Sequence, residues 1–174
     1  MSTSHQEPHV FECHLVWTGA KEGGTTDYEA YSREYRVDFK GKASLTGSSA
    51  PVFKGDPAVH NPEDLLVAAL SGCHFLSYAA LCARSGVNVL AYEDDATGTM
   101  ERVSRTMRFT EVVLRPKVTI AEGSDPEMAK ALHERAHSVC FIANSVNFPV
   151  RNEPEIEISP VSLVAGAARS AAGA

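Results

Sequence analysis

The sequence predicts an α+β fold within a single domain. Its 174 residues suffice for one domain with a proper core and fall short of two. Hydrophobic residues make up 44% and charged residues 22%, which is typical of a folded globular chain rather than a disordered one. Strand-like segments, a long apolar helix, further strands, a second helix and a last strand follow in that order, without internal repeats. This order indicates an α+β architecture.

Three strands are predicted in the first third of the chain. Residues 10–17 alternate loosely between apolar and polar side chains, and a glycine-rich turn follows at residues 19–25. Residues 35–39 and 43–46 form two more strand-like segments around a turn at Gly41. The chain is therefore expected to begin as a small sheet.

A long helix is predicted after this sheet. Asn61 can cap its start, Pro62 suits its first turn, and the acids Glu63 and Asp64 favour the positive end of the helix dipole. The helix should continue to about residue 84, because Gly86 favours a helix end.

This helix is apolar on nearly every side. Residues 65–83 approach the length of a membrane span, but several polar residues interrupt them, so a buried helix of a globular domain fits better. One sheet of a small domain can cover only one face of such a helix. We therefore expect a homodimer, intertwined so that these helices share a core.

The second half of the chain predicts strands, a helix and a short last strand. Residues 87–100 and 109–120 show strand patterns, and the second contains the longest alternating stretch. An Asp-Pro-Glu sequence at 125–127 opens a helix that reaches about Cys140. Residues 154–158 provide the last strand.

The domain should occupy residues 9–159, between a flexible N-terminus at residues 1–8 and a flexible tail at residues 160–174. The net charge of -6 and pI near 5.6 provide no basic surface, so neither nucleic acid nor membrane is an expected partner. Residues 1–8 lack the apolar stretch of a secretory signal. The expected location is the cytoplasm.

The four cysteines, Cys13, Cys73, Cys82 and Cys140, lie far apart without a Cys-x-x-Cys pair. This spacing indicates neither a zinc knuckle nor a dense disulfide framework. Cys73 follows Glu63 by ten residues, a pattern that also fits a capped core helix with an inert buried thiol. Cys82 follows Cys73 by nine residues and so faces the opposite way on a helix. We interpret Cys13 and Cys82 as packing residues.

Two longer motifs suggest a family. The segment NPEDLLVAALSGCH, which contains Cys73, and the segment HSVCFIANSV, which contains Cys140, resemble the two cysteine regions of the OsmC/Ohr family of thiol-dependent hydroperoxidases. The resemblance covers most of residues 10–158. With WTG at 17–19 and YSR at 31–33, the chain is similar to a divergent OsmC-like branch, because His74 stands where phenylalanine commonly follows the first cysteine. The resemblance implies an OsmC/Ohr-like fold: antiparallel sheets with two long central helices in an intertwined homodimer.

The resemblance also implies a reaction. Cys73 would attack an organic hydroperoxide as a thiolate and become a sulfenic acid, which Cys140 would convert to a disulfide. A dithiol reductant, either a lipoylated protein or a thioredoxin-like protein, would return the electrons. No cofactor is expected.

The family also implies an arginine that activates the first cysteine and is held by a glutamate. Glu63 matches that glutamate residue for residue. A positive charge is required because an unperturbed thiol, with a pKa of about 8.5, is mostly protonated at neutral pH. We select Arg33 as the arginine, with Arg36 and Lys21 as alternatives; a solvated strand charge is the other interpretation of Arg33.

Two other functions compete with the peroxidase. One is a non-catalytic protein that binds a small hydrophobic ligand and senses redox state through its cysteines. The other is a metal site on His133 and His137, which lie four residues apart, with Cys140 or His74 as a further ligand. We favour two exposed histidines on an amphipathic helix over the metal site, and the role of His74 stays open.

Overall fold

The computed structural model describes residues 7–20 and 23–159. These residues form two compact units that divide between Leu65 and Leu66. The predicted C-terminal tail, residues 1–6 and the candidate Lys21 lie outside the described residues.

The first unit contains a three-stranded antiparallel sheet. Its strands, in sheet order, are β1 (His14–Trp17), β2 (Tyr35–Asp38) and β3 (Leu45–Gly47). All three predicted strands are present. β1 is shorter than expected because residues 10–13 are exposed and form no ladder. A 3-10 turn at Pro51–Phe53, which the sequence did not reveal, follows the sheet.

The first long helix, α1 (Pro62–Ser85), begins and ends where the sequence predicts. The Asn61 side-chain oxygen accepts the backbone N–H of Asp64 at 2.9 Å, and the Asp64 carboxylate accepts the backbone N–H of Asn61 at 3.3 Å. This reciprocal capping satisfies two donors of the first turn. Gly86 follows the helix with φ of +76°, a conformation that glycine adopts without steric cost.

The second unit contains two three-stranded sheets and the second long helix. Its strands are β4 (Val89–Asp94), β5 (Thr97–Val103), β6 (Thr106–Leu114), β7 (Pro116–Ala121), β8 (Val150–Asn152) and β9 (Glu155–Ser159). One sheet has the order β4-β7-β9 and the other β5-β6-β8. The pairs β4–β7 and β5–β6 are antiparallel, whereas β7–β9 and β6–β8 are parallel. The α+β prediction is confirmed, with sheets that are mainly but not entirely antiparallel.

Each of the two long predicted strands of the second half is divided between the two sheets. The predicted strand at 87–100 separates after Asp94, and that at 109–120 separates at Arg115. The Asp94 carboxylate accepts the backbone N–H of Arg115 at 2.7 Å, which replaces the interrupted ladder. Apolar alternation continues through both points, so the pattern alone did not reveal the change of sheet.

The second helix, α2 (Pro126–Val139), is amphipathic. Asp125 caps it by accepting the backbone N–H groups of Glu127 and Met128 at 2.9 and 3.2 Å. Its buried residues recur every three to four positions: Ala129, Leu132, His133 and Ala136. The predicted helix is confirmed, and Cys140 follows its last residue as the C-cap.

Two hydrophobic clusters form the core of the second unit. The first joins the C-terminal half of α1 to β7 and α2, through Tyr78, Cys82, Val87, Val118, Ile120, Ala129, Leu132 and Ala136. The second joins Leu70 of α1 to β6 and β8, through Val112, Leu114 and Val150. Both helices are therefore fixed by burial in the same unit.

Much of α1 is exposed within the described part of the chain. Four of its side chains are buried, whereas Phe75 and Leu76 are 36% and 68% exposed. Among the described residues, α1 alone is long and apolar enough to cross a membrane by length and composition, and 22% of its most apolar stretch is buried. A core helix of a globular protein meets the same criterion. The residues that the structure describes thus leave an apolar face of α1 exposed.

Candidate active site

Cys73 lies in the middle of α1 and is partly exposed. Two residues earlier, the Ser71 hydroxyl donates to the Asp94 carboxylate at 2.5 Å. The same carboxylate accepts the Arg115 backbone N–H, so Asp94 ties α1 to the junction of the two sheets. The segment of α1 that carries Cys73 is therefore held by a directional contact as well as by packing.

Cys140 lies at the end of α2 and is 1% exposed. Its thiol accepts the backbone N–H of Ala143 at 3.5 Å, and its carbonyl accepts the backbone and side-chain N–H groups of Asn144 at 3.0 and 2.9 Å. Asn144 also donates to the Ser138 carbonyl at 3.1 Å. These bonds fix the turn that follows α2, and with it the Cys140 thiol.

The structure brings the Cys73 and Cys140 thiols together. Both are in the free thiol form, and their side chains are close enough for Cys73 to affect the ionisation of Cys140. Burial, followed by the hydrogen bond with Cys73, raises the pKa of Cys140 to about 11, although the Ala143 and Ile142 backbones oppose the rise. Cys140 is thus a protonated, enclosed thiol, whereas Cys73 is the member of the pair that a solute can reach.

Glu63 lies in the first turn of α1, as predicted. Its Oε2 atom is buried and has no hydrogen-bond partner within the described part of the chain. Its negative charge adds to burial in raising the pKa of Tyr35. A buried carboxylate oxygen without a donor is costly, and a cationic partner would offset that cost.

Arg33 is engaged with its own segment of the first unit. Its guanidinium donates to the carbonyls of Tyr31 and Tyr28, both at 2.6 Å. The same guanidinium lies over both rings, 4.2 Å from the Tyr31 centroid and 4.5 Å from that of Tyr28. Within residues 7–20 and 23–159, no ion pair joins Arg33 to Glu63. The role of Arg33 stays a prediction.

Arg36, one of the two alternatives to Arg33, is engaged in an ion pair of its own. Arg36 lies on β2 and donates to Asp38 at 2.9 Å in an exposed ion pair. An exposed ion pair of this kind contributes little to stability. It also engages the guanidinium that would have to face the Cys73 thiolate if Arg36 were the activating residue.

His74 and His133 form a buried pair that the sequence did not predict. Each is 1% exposed, and His74 Nε2 lies 2.9 Å from His133 Nδ1. Burial lowers the pKa of both, that of His133 to about 3, so both rings are neutral at pH 7. The expectation that His133 is exposed was wrong, and His137 is half-buried. The spacing of Ala129, Leu132, His133 and Ala136 places His133 on the apolar stripe of α2, which is the signal that was missed.

The metal hypothesis finds no cluster to support it. Across the described residues, no three His, Cys, Asp or Glu side chains are grouped closely enough to hold an ion. The Nδ1 atom of His133 is hydrogen-bonded to His74, so this nitrogen is not available to bind a metal together with His137.

The other two cysteines differ from each other. Cys82 is buried beside Tyr78 in the core, as predicted, and burial raises its thiol pKa. Cys13 is exposed, so the packing role predicted for it was wrong. Cys13 immediately precedes β1, whose first residue is His14, and so lies outside the sheet.

The chain matches a known protein family over more than half of its length. The profile of the family described as "OsmC-like protein" matches residues 55–155, which contain Glu63, Cys73 and Cys140. The chain belongs to the OsmC-like protein family. YmaD of Bacillus subtilis, described as uncharacterized, is 24% identical over 101 residues, covering 56% of this chain and 67% of YmaD.

Solved structures of OsmC-like proteins share the fold. An OsmC-like protein of unknown function from Vibrio cholerae is 32% identical, with a TM-score of 0.77, covering 85% of this chain and 100% of that one. A Legionella pneumophila protein described as an organic hydroperoxide resistance protein is 14% identical, with a TM-score of 0.63, covering 87% and 99%. The organic hydroperoxide resistance protein OhrB of Bacillus subtilis is 15% identical, with a TM-score of 0.58, covering 86% and 98%. At these low identities the last two support the fold alone.

Proposed function

We propose that the protein is a cysteine-based peroxidase that reduces organic hydroperoxides in oxidative stress defence. The observation that carries the proposal is the contact between a reachable Cys73 and an enclosed Cys140. Organic hydroperoxides are proposed as the substrate class because three solved structures of the same fold are named organic hydroperoxide resistance proteins.

In the first step, the Cys73 thiolate attacks one peroxide oxygen and the O–O bond breaks. Cys73 becomes a sulfenic acid, and the departing alkoxide takes a proton from solvent to become an alcohol. The thiolate is the required form, so a cation near Cys73 would speed this step. We propose Arg33 for that role, with Arg36 and Lys21 as the alternatives, and Glu63 as the carboxylate that pairs with the cation. Arg33 would have to release its tyrosine contacts to do so.

In the second step, the Cys140 sulfur attacks the sulfenic sulfur of Cys73. An S–S bond forms, and the hydroxyl leaves as water with the proton of the Cys140 thiol. A dithiol, supplied by a lipoylated or thioredoxin-like protein, then exchanges with this disulfide and restores both thiols. A cytoplasmic location would supply such reductants.

We also propose that two copies associate through the uncovered face of α1. Its exposed residues are mostly small or apolar: Ala68, Ala69, Gly72, Phe75, Leu76, Ala80 and Ala83. Contiguous apolar surface of this kind marks an interface in a soluble protein. Light scattering should give the mass of a dimer at micromolar concentration, and Leu76→Glu should shift it toward the monomer; a folded wild-type monomer would remove this part of the proposal.

The peroxidase is tested by turnover. Cumene hydroperoxide should be consumed with dihydrolipoamide as reductant, one equivalent of dithiol for each peroxide. The matched control is Cys82→Ala, which removes a buried thiol outside the pair and should keep turnover. A wild-type protein whose thiols survive excess peroxide would instead favour the non-catalytic ligand-binding or redox-sensing alternative.

A further inference from the structure

The two helices of the second unit touch through adjacent residues of α1. Cys73 contacts Cys140, and the next residue, His74, contacts His133. Both histidines are 1% exposed, so water does not compete for their mutual hydrogen bond. The pair of cysteines thus has a buried pair of histidines beside it.

The two contacts fix α2 at two separated points. His133 and Cys140 are seven residues apart, which corresponds to about 10 Å along a helix. The hydrophobic core already packs α2 against α1, and these two contacts add directional interactions at two points along it. Contacts at both points define its direction and its rotation relative to α1.

The ring of His133 also lies against a second residue of α1. Its ring centroid is 3.8 Å from that of Tyr78, with an angle of 15° between the planes. The ring of His74 lies beside it in nearly the same orientation, with the centroids 5.2 Å apart and 13° between the planes, as their ring-to-ring hydrogen bond requires. His74 and Tyr78 are four residues apart and therefore lie on the same face of α1. Both contact the imidazole of His133.

Stability alone does not account for this arrangement. His133 Nε2 is buried without a hydrogen-bond partner among residues 7–20 and 23–159. Exchanging both members of a buried hydrogen bond for apolar groups of the same shape is often nearly neutral or stabilising. Apolar residues would pack equally well, but they would not fix the relative orientation of the two helices as a hydrogen bond between the rings does.

We propose that His74 and His133 are a positioning pair, which holds Cys140 against Cys73 so that the disulfide can close. The inference rests on the proposed function, in which these cysteines form that disulfide. It adds two positioning residues that touch neither peroxide nor reductant.

Positioning is needed because Cys140 is a poor nucleophile. Burial raises the pKa of its thiol, so the thiolate fraction at neutral pH is small. A disulfide also requires the two Cβ atoms about 3.5 to 4.5 Å apart, a narrow range. Holding reacting atoms in place can compensate for weak intrinsic reactivity, and a displacement of about 1 Å can cost about a hundredfold in rate.

The test separates disulfide closure from the first step. We would equilibrate wild type, His133→Phe, His133→Asn and the double variant His74→Phe/His133→Phe with glutathione redox buffers at neutral pH. The closing constant of the Cys73–Cys140 disulfide follows from the fraction oxidised. In a Cys140→Ser background, sulfenic acid formation on Cys73 gives the rate of the first step.

The closing constant should fall about tenfold or more in His133→Phe, which raises the reduction potential by about 30 mV. His133→Asn should recover most of it, because its amide places a hydrogen-bonding atom near the position of Nδ1. The double variant should melt near the wild-type temperature and still close poorly. Leu132→Val, a buried substitution one residue away, controls for a general loss of packing and should close as wild type does.

A wild-type closing constant in the double variant would overturn the inference while leaving the peroxidase intact. The double variant also decides the matter if His133→Phe alone does not fold. A wild-type protein that forms no Cys73–Cys140 disulfide in an oxidising buffer would defeat both the inference and the proposed function.

Discussion

Cys73 and Cys140 touch each other from opposite kinds of position. Cys73 lies in mid-helix on the apolar α1 and is partly exposed, whereas Cys140 lies at the end of the amphipathic α2 and is 1% exposed. Burial and the neighbouring thiol raise the pKa of Cys140 to about 11. The contrast shows that two neighbouring thiols need not be equivalent. Cys73 is accessible to a solute, whereas Cys140 is enclosed beside Cys73.

The largest effect should come from Cys73→Ser. A serine hydroxyl is hardly ionised at neutral pH and cannot displace an alkoxide from oxygen, so peroxide turnover should disappear. The measurement is consumption of cumene hydroperoxide with a dithiol present, with Cys82→Ala and Cys13→Ala as controls that should keep turnover. Turnover in Cys73→Ser, or its loss in a well-folded Cys82→Ala, would show that the pair is wrongly assigned.

Cys140→Ser should fail later in the cycle. Its Cys73 should react once and yield one sulfenic acid that a trapping reagent captures. Without the trap, excess peroxide should drive Cys73 to sulfinic and sulfonic acids, because the Cys140 thiol that would condense with it is absent. Intact-mass analysis distinguishes these products, and trapping on Cys140 of Cys73→Ser would reverse the assigned roles.

Arg33→Ala tests the source of the positive charge. If Arg33 activates Cys73, its removal should slow sulfenic acid formation about tenfold at neutral pH, because the attacking thiolate loses a stabilising positive charge. Arg36→Ala is the competing arm, and its first-step rate should match that of wild type, since Arg36 is occupied by Asp38 on an exposed strand. Equal first-step rates in Arg33→Ala and wild type would direct attention to Arg36 and Lys21.

The buried histidines should make stability depend on pH. Burial depresses the pKa of His133 to about 3 and lowers that of His74, while an unfolded histidine titrates near 6.5. Between these values the unfolded chain binds more protons, so the free energy of unfolding falls as the pH falls. For His133 the loss is on the order of 3 kcal/mol between about pH 7 and about pH 4. Asp94 and Glu134 moderate the effect on His74, and His137 adds to it.

Chemical denaturation at several pH values measures this dependence. The wild-type free energy of unfolding should decline more steeply with acid than that of His74→Phe/His133→Phe, which keeps the carboxylates and lacks both imidazoles. Parallel curves for the two proteins would mean that the pair is protonated as readily in the folded as in the unfolded chain.

The sequence predicted those parts of the fold that depend on local hydrogen bonding. Asn61, Asp125 and Gly86 mark helix ends through contacts within one turn, and the structure confirms each of them. The change of sheet at Asp94 was missed because its bond to Arg115 joins residues 21 positions apart. Long-range pairing of this kind leaves no periodic trace in the sequence.

The residues of the candidate site also differ in how far the sequence could predict them. Cys73 and Cys140 were singled out by resemblance, since they are 67 positions apart and the sequence gives no geometric reason for them to meet. His133 could have been placed correctly, because the period of the buried residues of α2 includes it. The usual preference of histidine for partly exposed positions outweighed that period in the prediction.

The central claim is that Cys73 and Cys140 form one redox pair within a chain. Its most direct test is peptide mapping of the wild-type protein after brief exposure to one equivalent of cumene hydroperoxide, with free thiols blocked at once. We expect a loss of two hydrogen atoms per chain and a single cross-linked peptide joining Cys73 to Cys140, with Cys13 and Cys82 recovered as blocked thiols. A cross-link through Cys13 or Cys82, or four blocked thiols, would contradict the account.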